Sequence, residues 1–78
     1  MRSHNGVDMT AACGTPVVAM ADGVVTRSAN AGGYGLLIEI DHGTLDEDRM
    51  SSRSAHLSVL GVKVGQRVLK GQQIGLAG

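Results

Sequence analysis

Seventy-eight residues allow one small domain, close to the size below which an aliphatic core needs a staple to hold. Seven basic and seven acidic residues cancel and Tyr34 is the only aromatic, so the chain has neither the positive field nor the stacking platforms of a nucleic-acid binder. No apolar run approaches the roughly 18 residues of a membrane span, no signal-peptide core follows Met1, and the single Cys13 cannot close an internal disulfide.

The first marked stretch is Ser3-His4-Asn5-Gly6-Val7-Asp8. In an extended strand His4 and Asp8 would lie about 13 Å apart, whereas ligands of one zinc ion sit about 2 Å from it. A bend at Asn5-Gly6, both tolerant of positive φ, would let the pair converge on one cation. The same spacing also suits a surface His and Asp flanking an ordinary turn. Residues 9–14 read as a short extended piece ending in a turn at Cys13-Gly14, with Cys13 a small buried residue between small neighbours.

Pro16 opens a strand over 16–20, at an edge or first position where its missing N–H does little harm. Ala21-Asp22-Gly23 is a hairpin signal and 23–27 the returning strand. Residues 28–33, small and glycine-rich, read as a loop that sets Tyr34 near the mouth of any site. From 35 to 41 the apolar residues Leu36, Ile38 and Ile40 alternate with Glu39 and Asp41, the pattern of a strand wet on one face; Leu37 breaks it. His42-Gly43 closes this strand, and the serine- and charge-rich run 44–53 reads as a solvated loop. A short strand follows at 54–58, and aliphatics punctuated by glycine after 64 read as a second hairpin that echoes the first. Twelve glycines spread along the chain, with no amphipathic helix of three turns, make the fold all-β: an antiparallel, barrel-like sandwich of short strands in one domain over 1–78.

Ser3-His4-Asn5-Gly6-Val7-Asp8, Gly14-Thr15-Pro16-Val17-Val18-Ala19, Asp22-Gly23-Val24-Val25, Gly33-Tyr34-Gly35, Ile40-Asp41-His42-Gly43, Ala55-His56-Leu57-Ser58 and Val64-Gly65-Gln66-Arg67-Val68 follow one another in the order seen in the M23 metallopeptidases. The chain resembles that family, which includes the lysostaphin-like and LytM-like peptidoglycan endopeptidases, over nearly its whole length. The resemblance implies a zinc metalloendopeptidase that cuts peptide cross-links of bacterial peptidoglycan outside the cytoplasm: extracellular, periplasmic or virion-associated. It implies that His4 and Asp8 are metal ligands and that His56 assists the attacking water. His42, in a strand-end His-Gly pair common in the family, is implied to turn or cap the chain rather than bind metal. The family's closing His-x-His would fall beyond Gly78, so the domain is expected to be incomplete at its C-terminus. Ser54 stands where the family usually has an aromatic, and the loop at 44–53 looks a few residues long.

Two other classes fit parts of the sequence. One is a non-catalytic relative that binds the cell wall, regulates another hydrolase or serves as a structural module in a larger cell-wall or phage-tail assembly. The other is a carrier or phosphotransfer barrel of the lipoyl-like or sugar-permease type, for which Lys63 and Lys70 lack a distinctive flanking signature.

Overall fold

The computed structural model describes residues 4–9, 12–45 and 47–78, with 4–9 and Leu45 described by their backbone alone. Seven strands among these residues build one curled sheet: β1 (His4–Met9), β2 (Pro16–Val18), β3 (Gly23–Asn30), β4 (Leu36–Leu45), β5 (Asp48–Leu60), β6 (Arg67–Val68) and β7 (Gln73–Ala77). The order is β2-β7-β5-β4-β3-β6, antiparallel throughout, and β1 joins β5 in parallel. The only helical element among the described residues is a 3-10 turn, Gly32–Tyr34. The fold is the all-β, barrel-like one that composition and glycine spacing imply.

Pairing differs from the expected hairpins. The strands at 16–18 and 23–30 do not pair with each other: β2 pairs with β7, and β3 with β4 and β6. The two aliphatic arms therefore interlock. Ala19 N–H donates to Gln72 O at 2.9 Å, Gly71 N–H to Ala19 O at 2.8 Å, and Lys70 N–H to the Asp22 carboxylate at 2.7 Å. On the β3 side Val25 N–H donates to Gln66 O at 2.9 Å and Gly65 N–H to Val25 O at 2.8 Å. Asp22, expected to make a hairpin turn, instead fastens one corner of the chain to the other, and the sheet closes into a half-barrel.

The run 44–53 is no solvated loop. β4 continues to Leu45 and β5 returns from Asp48, with Leu45 and Asp48 in register and an Arg49–Asp41 ion pair beside the turn. Its serines are polar yet buried: Ser51, Ser52 and Ser54 lie in the sheet, Ser52 opposite Ile40 and Ser54 opposite Ile38. Two backbone partners, β4 on one side and β1 on the other, hold a segment whose side chains alone would not specify a strand.

The core is aliphatic. Ile38, Ile40, Ile74, Val25 and Val68 are its largest fully buried side chains, each worth roughly 1.5–3 kcal/mol of burial. Leu37, the residue that breaks the alternation of β4, is also buried but stands apart from this cluster. Because successive strand residues point to opposite faces, Leu37 covers the reverse face of the sheet, the face shared by Glu39 and Asp41. Cys13, expected to be buried, is exposed; its thiol donates to Gly78 O at 2.8 Å.

Candidate active site

β5 is the strand on which the candidate residues meet. Over 49–54 its edge is occupied by β1, with His4 in register with Arg49 and Asp8 with Arg53; over 57–60 the same edge is taken by β7. His56 lies at the changeover. Leu36 pairs with Leu57 and Ile38 with Ser54, so Ala55 and His56 together stand opposite the single residue Leu37 in a β-bulge. His56 carries φ 55°, one of two described non-glycine residues with positive φ, and is exposed. A side chain held in that region costs of order 1–3 kcal/mol and persists where surrounding bonds fix it. Here the His56 carbonyl accepts from Gly78 N–H at 2.8 Å.

Gly35 lies directly beside the imidazole. A methyl group at its α-carbon would sit 3.5 Å from His56 Cα and 3.6 Å from Nδ1, and its own φ is 66°. Only a residue free to take positive φ can end the 3-10 turn here and still let the chain pass so close to His56. Tyr34 precedes it with a half-exposed ring, as expected of a residue at the mouth, and the Arg53 guanidinium lies 5.7 Å from the ring centroid. Since Ser52 and Ser54 are the core-side residues of β5, Arg53 belongs to the outer row with Ala55. Ser54, by contrast, is buried opposite Ile38, so that departure from the family pattern affects the core side rather than the site face.

His42 has another task. It is the extra residue of a second bulge, between Asp41 and Gly43, and both ring nitrogens are engaged. Nδ1–H donates to Asp22 O at 2.9 Å, and Nε2 meets the Ser52 hydroxyl at 2.8 Å, accepting from it in the neutral ring. It ties the Asp22 corner to β5.

The side chains of His4 and Asp8 lie outside the described residues, and among the described residues no three His, Cys, Asp or Glu side chains converge as a metal site requires. The donor types, an imidazole nitrogen and a carboxylate oxygen, are those zinc takes. The backbone adds a constraint. The bend expected at Asn5-Gly6 is not formed: β1 runs through it in unbroken register with 49–54, leaving the two α-carbons about 13 Å apart by strand rise.

The sequence places Arg53 in a loop, and Gly35 both at a strand start and in the Gly33-Tyr34-Gly35 block of the family resemblance, with no role beside His56. The one available signal was the Gly33-Tyr34-Gly35 triplet, whose second glycine would be superfluous in a plain strand.

Compared with known proteins, residues 2–78 match the model of peptidase family M23. The chain is 43% identical over 75 residues to the peptidoglycan DD-endopeptidase ShyA of Vibrio cholerae, covering 96% of this chain and 16% of that protein. It is 40% identical over 77 residues to the DD-carboxypeptidase/endopeptidase Mpg of Neisseria meningitidis, covering 99% and 17%. With the cell division protein DipM of Caulobacter vibrioides it shares 34% over 76 residues, 96% of this chain and 12% of that protein. The chain thus spans about one sixth of the first two of these curated relatives. No solved structure matches it significantly. With a family match over nearly every residue and a β-bulge that presents His56 beside the strand bearing His4 and Asp8, the chain belongs to peptidase family M23.

Proposed function

We propose that this chain is the peptidase domain of a zinc-dependent endopeptidase that hydrolyses peptide cross-links of peptidoglycan outside the cytoplasm. The observation that carries the reading is the position of His56: exposed, in a bulge, at the point where β1 gives way to β7 on the edge of β5. His4 and Asp8 would hold the metal, the one through an imidazole nitrogen and the other through a carboxylate oxygen. A metal bound there supplies a Lewis acid that polarises the scissile carbonyl and lowers the pKa of a bound water to about 7.

The chain's own residues supply the rest. His56 is set to take the proton of the attacking water and return it to the departing amine, or to donate to the oxyanion, a contribution of about 10²–10⁴-fold in rate. The bulge, with the Gly78 N–H bond to the His56 carbonyl, fixes the backbone from which the ring projects. The names of ShyA and Mpg, both endopeptidases, support a bond between peptide residues as the target.

A non-catalytic cell-wall module is favoured by one observation, the unbroken pairing of β1 with β5 through Asn5-Gly6. The two readings part on hydrolysis. The full-length protein with zinc should release monomers from cross-linked peptidoglycan peptides, and a chelator should abolish the release; zinc-loaded protein that binds the cross-linked peptide without cutting it would leave only the second reading standing.

A further inference from the structure

We propose that the ribbon 63–70 is a docking surface for an anionic phospholipid membrane, with Val64 and Leu69 entering the headgroup layer and Lys63, Arg67 and Lys70 meeting the phosphates.

Two turns of the same build carry the ribbon. Gln66 N–H donates to Lys63 O at 3.0 Å in the first, and Gln72 N–H to Leu69 O at 2.9 Å in the second. Each glutamine also accepts through Oε1 from the first residue of its turn, from Lys63 N–H at 3.2 Å and from Leu69 N–H at 3.0 Å. The third residue of each turn is a glycine at positive φ, Gly65 at 88° and Gly71 at 83°, whose N–H donates at 2.8 Å to the carbonyl of Val25 or Ala19. Backbone, glycine and glutamine make all of these bonds. The side chains at the first two positions, Lys63-Val64 and Leu69-Lys70, take no part in them and are exposed.

A turn tip in water ordinarily carries Asn, Asp, Ser or Gly. Here the tips carry Val64, 63% exposed, and Leu69, 60% exposed, each beside a lysine. One exposed aliphatic is commonplace; two on rigid, repeated tips, each with its own lysine, form a pattern. Arg67 is exposed between the turns, Val68 beside it is buried, and no acidic residue follows Asp48 in the sequence. The Asp22 carboxylate at this corner takes the Lys70 backbone N–H. The combination favours lipid. Lysine and arginine stems lie along apolar material with their heads at the phosphates, while aliphatic side chains between them reach the acyl boundary. A hydrophilic anionic polymer would use the three cations and leave Val64 and Leu69 in water, and a protein partner would centre on aromatic and arginine anchors, of which the ribbon has Arg67 alone.

The ribbon stands apart from the site at His56. Gln73, where β7 leaves the second turn, is five residues from Gly78, whose N–H bonds the His56 carbonyl, about 16 Å along an extended strand.

The test is sedimentation of the full-length protein with vesicles of phosphatidylcholine alone and of phosphatidylcholine and phosphatidylglycerol in equal parts. We expect stronger binding to the mixed vesicles, weakened by added salt as surface charge is screened. Each cation at an anionic leaflet is worth about fivefold in affinity, so Lys63→Gln with Lys70→Gln should weaken this binding about twentyfold. Val64→Ser with Leu69→Ser leaves the charge unchanged and should weaken it about tenfold, because the aliphatic contact with the acyl boundary is lost. All four side chains are exposed, so both double variants should melt within a few degrees of wild type. Equal binding to the two vesicle types, no binding to either, or affinity unchanged by the lysine substitutions would each overturn the proposal. Binding that falls with the lysines but survives Val64→Ser with Leu69→Ser would overturn it in favour of an anionic polymer held by charge alone.

Discussion

Gly75→Ala is expected to destabilise this domain severely. Gly75 lies in β7 between β2 and β5, in register with Val17 on one side and Leu60 on the other. A methyl group there would enter hard contact with the Val59 carbonyl oxygen and stand 3.6 Å from Ile38 Cδ1. The obstacle is backbone, which cannot rotate away as a side chain can, so the strands must separate and give up ladder hydrogen bonds around one of the most buried side chains. Such a change costs about 3–5 kcal/mol, a large part of the 5–15 kcal/mol that holds a typical domain. For a domain of this size that corresponds to a fall in melting temperature of more than about 12 °C. Gly33→Ala is the matched control, with open space around it and no positive φ, and should shift stability by less than about 0.5 kcal/mol. Thermal unfolding of both variants decides the point; a Gly75→Ala protein melting within a few degrees of wild type would show that β7 does not approach β5 as described.

His56→Asn should separate chemistry from folding. Asparagine tolerates the left-handed backbone that His56 adopts, so the bulge and the Gly78 hydrogen bond should survive while the imidazole is lost. Hydrolysis of cross-linked peptide by the full-length protein should fall by about 10²–10⁴-fold, the usual worth of a positioned general acid–base group. Its melting temperature should stay within a few degrees of wild type. His56→Val, by contrast, puts a β-branched residue at positive φ and should lose stability as well as activity. Activity of His56→Asn within tenfold of wild type would remove His56 from the chemistry.

The strand order of this fold could not be read from the sequence, but many of its strands could. Pro16 marked an edge strand because a residue without an N–H has few other places in a sheet, and Ile38 and Ile40 marked the core face of β4 by period. The end of β5 was read as a strand at 54–58, but its first half escaped because Ser51, Ser52 and Arg53 carry a loop's composition; what makes them a strand is the β4 and β1 backbone on either side, which no local pattern encodes. The hairpins were misassigned for a related reason. Asp22-Gly23 has the chemistry of a tight turn, yet the Asp22 carboxylate is used by Lys70 N–H and its carbonyl by His42, both distant in sequence. Leu37 looked like an error in a one-sided strand; it is the mark of a strand with both faces covered.

The candidate site was legible to a different degree at each residue. His4, Asp8 and His56 stood out only through the order of the motifs, since their spacing alone fits a surface turn and a lone strand histidine equally well. Nothing in the sequence announced the left-handed φ of His56, which arises from a bulge set by two different partner strands. Arg53 became visible only when the 3-10 turn brought Tyr34 beneath it.

The most direct test of the account is zinc calorimetry on the full-length protein in three forms: wild type, Asp8→Ala and His42→Ala. Asp8 is assigned to the metal, whereas both nitrogens of His42 are committed to Asp22 and Ser52. Zinc should therefore bind wild type and His42→Ala with similar affinity, and binding should be lost in Asp8→Ala. Affinity that survives Asp8→Ala but disappears with His42→Ala would contradict the assignment of β1 as the ligand strand.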